Sequence, residues 1–260
     1  MSSNNSRSSS TRSLLALVCL GLLMLLFISL GRWQLSRAQE RQSLAQQIEQ
    51  GRQQAPLHID SQASLDKGAL WQSVAVHGSW RSELTVLLDN RNFKGKPGYW
   101  IATPFVLDEG DLAGSSLLVL RGWLARVPGQ TPSVPAAPSG SETISGELME
   151  RVPRLFELGS SPLPAHLPDP SGTPPVVQNL ALEDLRSRID LPVLPRVLAQ
   201  TAPASELQTN WPDPNIDFEK NRGYALQWFG FALIALCAWI GVAWKWLRRS
   251  RLNSAPTRKT

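Results

Sequence analysis

Cysteine and histidine are both scarce in this sequence of 260 residues, which has 2 cysteines and 3 histidines. Cys19 and Cys237 lie inside two long apolar runs, so the segment between the runs has no disulfide and no thiol ligand. That excludes a cysteine-based copper carrier or a thiol oxidoreductase in this segment. His58, His77 and His166 stand in no metal-binding motif and no catalytic-triad signature. We therefore expect no metal site and no enzymatic activity.

Acidic residues are missing from both ends of the chain. No acid precedes Glu40, and none occurs in the tail after residue 245. The formal net charge of +5 would suit a nucleic-acid partner, but much of the excess flanks the apolar runs. Anionic membrane lipids account for charge in that position, so we expect contact with lipids and no contact with nucleic acid.

We predict transmembrane helices over residues 13–31 and 224–245, because these segments contain uncharged runs of 18 and 21 residues. Each run is long enough to cross a hydrocarbon core of about 30 Å. The alternative for the first run is a cleaved signal peptide. It is disfavoured because the run is longer than usual and Gly31-Arg32-Trp33-Gln34 stands where a small-residue cleavage site belongs.

Basic residues set the expected orientation. The tail, residues 246–260, is predicted to be cytoplasmic because it is basic, and two spans then place the N-terminal residues 1–12 on the same side. Arg32, Arg37 and Arg41, just after the first span, argue the other way. The lack of early acids also suits a mitochondrial presequence, but the first run begins too early to leave room for one. We expect a multi-pass protein of the bacterial inner membrane with both termini in the cytoplasm.

Residues 32–220 are predicted to form one periplasmic, mainly β domain with a helical N-terminal extension over residues 33–49. Short apolar or alternating runs separated by turn-forming clusters indicate six strands. These strands are predicted over residues 71–80, 84–90, 99–107, 116–124, 143–149 and 193–200. One short helix is predicted over residues 182–189. The fold class is therefore an α+β membrane protein, with two transmembrane helices flanking a mainly antiparallel sandwich or barrel-like sheet.

Two positions carry polar groups in apolar surroundings. Arg121 lies within a predicted apolar strand, where its guanidinium needs an acceptor such as a loop carbonyl, a carboxylate or a propionate. Gln227 lies about one turn into the second span and needs a hydrogen-bond partner at that depth. Packing against the first helix or against another protein would supply that partner. Gly223, Gly230 and Gly241 are expected to allow a neighbouring helix or a flat ligand to come close.

Several short blocks, in order along nearly the whole chain, resemble the surfeit-locus family of cytochrome c oxidase assembly factors. These blocks are Gly31-Arg32-Trp33-Gln34, Val76-His77-Gly78-Ser79-Trp80, Asn90-Arg91, Gly98-Tyr99, Thr103-Pro104-Phe105, Arg121-Gly122-Trp123, Ile144-Ser145-Gly146-Glu147-Leu148 and Tyr224-Ala225-Leu226-Gln227-Trp228-Phe229. Each block alone is weak. Their order around two spans makes the resemblance specific.

The resemblance implies a non-catalytic assembly factor that assists haem a insertion or stabilises the haem-bearing oxidase subunit. Its implied partners are that subunit and other oxidase assembly factors. Haem a, bound transiently, is the implied cofactor. A scaffold that binds a periplasmic protein unrelated to respiration is the alternative.

The resemblance also points to particular residues. The family commonly has a histidine three residues before Tyr224, where this chain has Asn221, and asparagine is a poor ligand of haem iron. The expected haem contacts are therefore packing on Tyr224 and Trp228, with Arg222 near a propionate. The residues expected to contact a partner protein are Trp33, Gln34, Arg91, Arg121 and Gln227.

Overall fold

The structure is a computed structural model that describes residues 3–157, 159, 162–202, 206–214 and 216–253. The described residues contain four α-helices, in chain order α1 (Ser3–Arg52), α2 (Gln62–Lys67), α3 (Leu182–Arg186) and α4 (Phe218–Asn253). Helices α1 and α4 contain the two predicted spans, and α1 also contains the predicted extension. The prediction missed α2, whose Ser61 cap pairs with Ser64. It also made α3 three residues too long. Arg258 and Lys259 of the basic tail lie outside the described residues.

Among the described residues, two helices are long and apolar enough to cross a membrane, Thr11–Arg52 and Phe218–Arg249. Along the chain these segments lie on either side of a β-sheet. The chain divides into two compact units. Residues 1–45 and 215–260 form one, here named the helical unit, and residues 46–214 form the other, the β unit. The domain boundaries and the sidedness predicted from the sequence stay predictions.

In the part of the β unit that the structure describes, eight strands form a single sheet. They are β1 (Leu57–His58), β2 (Ser73–Trp80), β3 (Val86–Leu88), β4 (Gly98–Leu107), β5 (Ser116–Ala125), β6 (Ser141–Met149), β7 (Val176–Val177) and β8 (Val193–Ala202). All six predicted strands are present. The largest difference is at β3, which is shorter than predicted because a 3-10 turn, Ser82–Leu84, occupies the beginning of the predicted strand. The two-residue strands β1 and β7 were not predicted.

The sheet closes into a barrel. Strands follow the order β2–β6–β8–β5–β4, and β4 pairs again with β2. Within this ring β5 and β8 are parallel, and the other four pairings are antiparallel. The expectation of a mainly antiparallel, barrel-like sheet is confirmed. The alternative of a sandwich is not what the chain adopts.

Apolar side chains fill both faces of the central strands. Phe105, Leu117 and Val119 belong to one buried cluster, whereas Trp100 and Leu120 belong to another. Residues of α3 and its flanking loops, among them Leu185, complete the second cluster. Burial on both faces explains why β4 and β5 read as continuous apolar runs, whereas β2 and β6 alternate.

Candidate functional site

The two long helices pack closely in the helical unit. Ala225, Ala232 and Ala235 form a stripe of small buried residues along α4. Gly31 of α1 lies against the ring of Phe229. A Cβ at residue 31 would be only 2.7 Å from that ring, so a larger residue would not fit there without a shift. Small residues allow helices in a membrane to approach closely, and dispersion contacts then hold them together. The glycines expected to serve this purpose, Gly223, Gly230 and Gly241, have open space where a Cβ would be. In this structure α1 therefore does not come close at these glycines, and the approach of a flat ligand or of a helix from another protein stays a prediction.

Three aromatic rings meet beside this contact. Trp228 stacks on Phe27 of α1 with ring centroids 5.9 Å apart and an interplanar angle of 27°. Phe231 contacts both rings at centroid distances of 5.7 and 5.9 Å. Trp228 is therefore held by packing between the helices, and its indole is only partly exposed.

Asn221 links the helices by hydrogen bonds through both atoms of its amide. Its Nδ2 donates to Gln34 Oε1 at 2.7 Å. Its Oδ1 accepts from Arg41 Nη1 at 2.8 Å, and the same Arg41 nitrogen donates to the carbonyl of Asp217 at 3.0 Å. We name Gln34, Arg41 and Asn221 the polar clasp. The sequence associated Gln34 with a partner protein, but in this structure Gln34 accepts from Asn221.

Arg222, next to the clasp, is also engaged within the helical unit. Its Nη1 donates to Glu219 Oε1 at 2.9 Å, and its Nη2 donates to Gln42 Oε1 at 2.8 Å. The guanidinium also lies 5.1 Å from the ring centre of Phe218. Arg222 therefore serves the same helix contact as the polar clasp.

Three predicted contact residues of this unit are at its surface. Tyr224 is 52% exposed, Trp33 is 54% exposed, and Gln227 is also exposed. The side-chain amide of Gln227 makes no hydrogen bond to another described residue. Tyr224, Gln227 and Phe231 follow the spacing i, i+3, i+7, so they share one exposed face of α4, next to the alanine stripe.

The residues at the clasp do not fit a ligand of haem iron. Both amide atoms of Asn221 already have partners, and an amide is a weak donor for iron. All three histidines of the sequence, His58, His77 and His166, belong to the β unit. What the helical unit does offer is an aromatic surface at Tyr224 and Trp228.

The two arginines expected to contact a partner lie in the interior of the β unit. Arg91 is 3% exposed, and Arg121 is 5% exposed. Arg91 donates to the carbonyl of Gln178 at 3.0 Å and lies over the ring of Trp100, and burial lowers its pKa to about 10. Arg121 donates to the carbonyl of Pro135 at 3.1 Å, so the loop carbonyl is its acceptor. Burial lowers the pKa of Arg121 as well. Their partner role stays a prediction, but both side chains support the fold.

The sequence blocks around these arginines converge in space. Trp123 Nε1 donates to the carbonyl of Arg91 at 2.6 Å. Gly98 lies against the Trp123 ring, which a Cβ at residue 98 would approach to 2.4 Å. Gly122 sits at a bulge of β5 with φ of 152°. The blocks Asn90-Arg91, Gly98-Tyr99 and Arg121-Gly122-Trp123 therefore form one structural corner of the barrel.

One polar cluster was not predicted from the sequence. His77 Nδ1 lies 2.5 Å from Asp108 Oδ1, and Ser141 Oγ donates to the other oxygen of that carboxylate. His58 Nε2 lies 2.9 Å from Glu109 Oε2. The carboxylate stands between the hydroxyl and the imidazole, so His77 does not contact Ser141 as a general base would. The described residues contain no group of three or more metal-ligating side chains.

Comparison with protein families finds a match to the model described as the SURF1 family over residues 21–233. The matched span covers more than four-fifths of the 260 residues and includes the whole β unit. It begins within α1 and ends within α4, so it contains the aromatic contact and the polar clasp. A comparison with curated proteins finds no match.

Proposed function

The chain belongs to the SURF1 family, and from this membership and the exposed face of α4 we propose a non-catalytic factor that stabilises the haem a-bearing subunit of a haem-copper oxidase during assembly. The family acts in cytochrome oxidase assembly. The family and the two apolar helices together indicate an inner-membrane protein. We further propose that the protein is bacterial and crosses the membrane twice, with both termini in the cytoplasm.

Gln227 carries the proposal. It lies three residues into the uncharged run of α4, and its amide is exposed beside Tyr224 and Phe231. An amide that faces lipid without a partner is unfavourable, and a hydrogen bond across to another helix removes that cost. A transmembrane helix of the oxidase subunit would supply both the hydrogen bond and apolar surface.

Purification from cells that make haem a tests the proposal. We expect the haem-bearing subunit to co-purify with the full-length chain. Gln227→Leu should lower its recovery at least threefold relative to wild type, because leucine removes the hydrogen bond. Ile240→Ala is the matched control, since Ile240 is exposed on the far side of α4, and it should leave recovery unchanged. Failure of the wild-type chain to bring down any oxidase subunit would contradict the proposal.

Transient contact of haem a with Tyr224, Trp228 and Arg222 stays a prediction. An absorption spectrum of the same purified sample tests it. A haem band that follows this chain after the oxidase subunits are removed would support the contact. Oxidase subunits without such a band would support a scaffold that handles protein alone.

The rival function is an envelope scaffold with no link to respiration. Family membership favours the oxidase role over this rival. Recovery of other envelope proteins, with oxidase subunits absent from the same sample, would favour the rival.

A further inference from the structure

A basic cavity of about 370 Å³ lies in the β unit between the segment after β6, helix α3 and the beginning of β8. Four guanidinium groups and two carboxylates line it, together with apolar residues. The charged residues are Arg151, Arg154, Arg186, Arg196, Glu150 and Glu183. The lining therefore has an excess of positive charge, and none of these residues enters the contacts described for the helical unit.

Several of these guanidinium groups keep donors for a ligand. Arg151 and Arg154 are exposed, and neither makes a hydrogen bond or an ion pair to another described residue. Arg196 is partly covered: its Nη1 donates to the carbonyl of Pro195 at 3.3 Å, and its Nε is buried without a partner among the described residues, so its other Nη donors are the ones open to a ligand. An arginine offers five N–H donors in a planar fork that matches a carboxylate.

An exposed phenylalanine follows the cavity-lining Arg154 closely along the chain. Phe156, two residues after Arg154, is 85% exposed. Residues 154 and 156 are both exposed, whereas residues 155 and 157 are partly covered.

The backbone around Phe156 is held rigidly. Asn179 accepts from the backbone N–H of Leu155 at 2.7 Å and donates to its carbonyl at 3.0 Å. Gln178 Nε2 donates to the carbonyl of Phe156 at 2.7 Å. Two amide side chains thus fix the segment while the phenyl ring faces solvent. An exposed aromatic side chain on an anchored backbone suits a protein contact, because less conformational entropy of the backbone is lost on binding.

We propose that this surface, which we name the Arg-Phe surface, binds an acidic segment of a partner protein that also carries apolar side chains. Carboxylates of the segment pair with Arg151, Arg154 and Arg196, and an apolar side chain packs on Phe156. A concave cavity accepts side chains, whereas a flat bilayer surface does not enter it. This binding site does not rest on the contact proposed for α4.

The test uses the full-length chain in nanodiscs of neutral lipid. The probe is a fluorescein-labelled peptide of six glutamates and two leucines, and the control peptide has glutamine in place of each glutamate. We expect the acidic peptide to bind in low salt and to weaken as salt rises. Binding is followed by fluorescence anisotropy.

Variants then locate the binding. Arg151→Gln combined with Arg154→Gln should weaken the acidic peptide about tenfold, as expected for lost charge-assisted hydrogen bonds. Phe156→Ser should weaken it about fivefold, a typical effect for an aromatic anchor. Arg81→Gln is the control, because Arg81 is an exposed arginine just after the end of β2, whereas the beginning of β2 pairs with the strand that leads to the cavity. This variant should change the affinity for the acidic peptide less than about twofold, within the range of exposed charges.

Three results would overturn the proposal. Equal binding of the glutamine peptide would remove the role of charge. Equal weakening by Arg81→Gln would mean that only net charge matters. The third result is that the wild-type protein binds phosphatidylglycerol vesicles but not the acidic peptide, and that the arginine and Phe156 variants lose this vesicle binding. It would identify a lipid-binding surface instead.

Discussion

Asn221 of α4 donates its Nδ2 hydrogen to Gln34 Oε1 of α1 at 2.7 Å. Because Oδ1 of the same amide accepts from Arg41, Asn221 acts as donor and acceptor at once. A position associated by resemblance with a histidine is thus used here to join the two long helices. The side chain that looked unfavourable for iron ligation has a structural task.

The Asn221–Gln34 bond should be measurable in a double-mutant cycle. Asn221→Ala and Gln34→Ala should each lower the thermal stability of the full-length protein in detergent. The double variant should be destabilised less than the sum of the two, with a coupling of about 0.6 kcal/mol, as found for hydrogen bonds between membrane helices. Ser36→Ala, an exposed change on α1, serves as the control. Strict additivity would show that the bond does not form.

Gly122 should tolerate alanine much less than another glycine with positive φ. At Gly122, φ is 152° and a new Cβ would lie 2.5 Å from Leu207 Cβ. At Gly129, φ is 76° and nothing lies within 4 Å of that position. Gly129→Ala should therefore cost about 1 kcal/mol from backbone strain alone. Gly122→Ala should cost about 1–3 kcal/mol more from overpacking. Urea unfolding followed by tryptophan fluorescence measures both, and equal losses would contradict the bulge geometry.

His77 should contribute stability in a limited pH window. The hydrogen bond to Asp108 raises the pKa of His77 above its ordinary 6.5, so its stabilisation is present below that pH and is lost as pH rises through the raised value. Hydrogen bonds from Ser141 and His77 lower the pKa of Asp108 below its ordinary 3.8. That contribution is present above 3.8 and is lost as pH falls through the lowered value.

His77→Gln tests this window. The difference in unfolding free energy from wild type should be largest between about pH 4 and 6.5 and should shrink above it, since wild-type His77 then loses its charge. Glu109, whose carboxylate lies 3.6 Å from His77 Nδ1, acts in the same direction. His166→Gln changes an exposed histidine elsewhere in the β unit and should show no such profile. A difference that grows steadily towards alkaline pH would refute the assignment.

Trp228→Ala should reduce the oxidase content of membranes. The substitution removes the ring that packs on Phe27 and Phe231, which should loosen α4 and misplace the neighbouring Gln227. We expect the haem a absorbance and the amount of the haem-bearing subunit to fall together, at least twofold. Trp244→Ala, at an exposed position near the end of α4, is the control.

The ratio of haem a absorbance to the amount of the haem-bearing subunit separates direct haem contact from a role in stabilising the subunit. A fall in haem a per subunit, with the subunit itself unchanged, would favour direct contact between haem a and Trp228. Normal oxidase spectra in the Trp228→Ala strain would remove Trp228 from either role.

The sequence predicted features that depend on near neighbours. Uncharged runs identify α1 and α4, because crossing a hydrocarbon core requires about 20 apolar residues in succession. Alternation identifies β2 and β6, because one face of each strand is buried. The short α2 was missed because a six-residue helix has too few turns to show a period.

Features that join distant parts of the chain needed the tertiary structure. The polar clasp spans 187 residues from Gln34 to Asn221, and the His77–Asp108 contact spans 31. The sequence predicted that Arg91 and Arg121 contact a partner protein. It could not show that the hydrogen-bond acceptor of each guanidinium lies inside the same fold. The barrel closes through the β2–β4 pairing, which depends on how the strands are ordered in space. The same ordering brings Arg154 and Arg196 to one cavity. Local sequence determined which segments form long apolar helices and which form strands. Packing alone decided which side chains meet, because contact depends on distance in space and not on position along the chain.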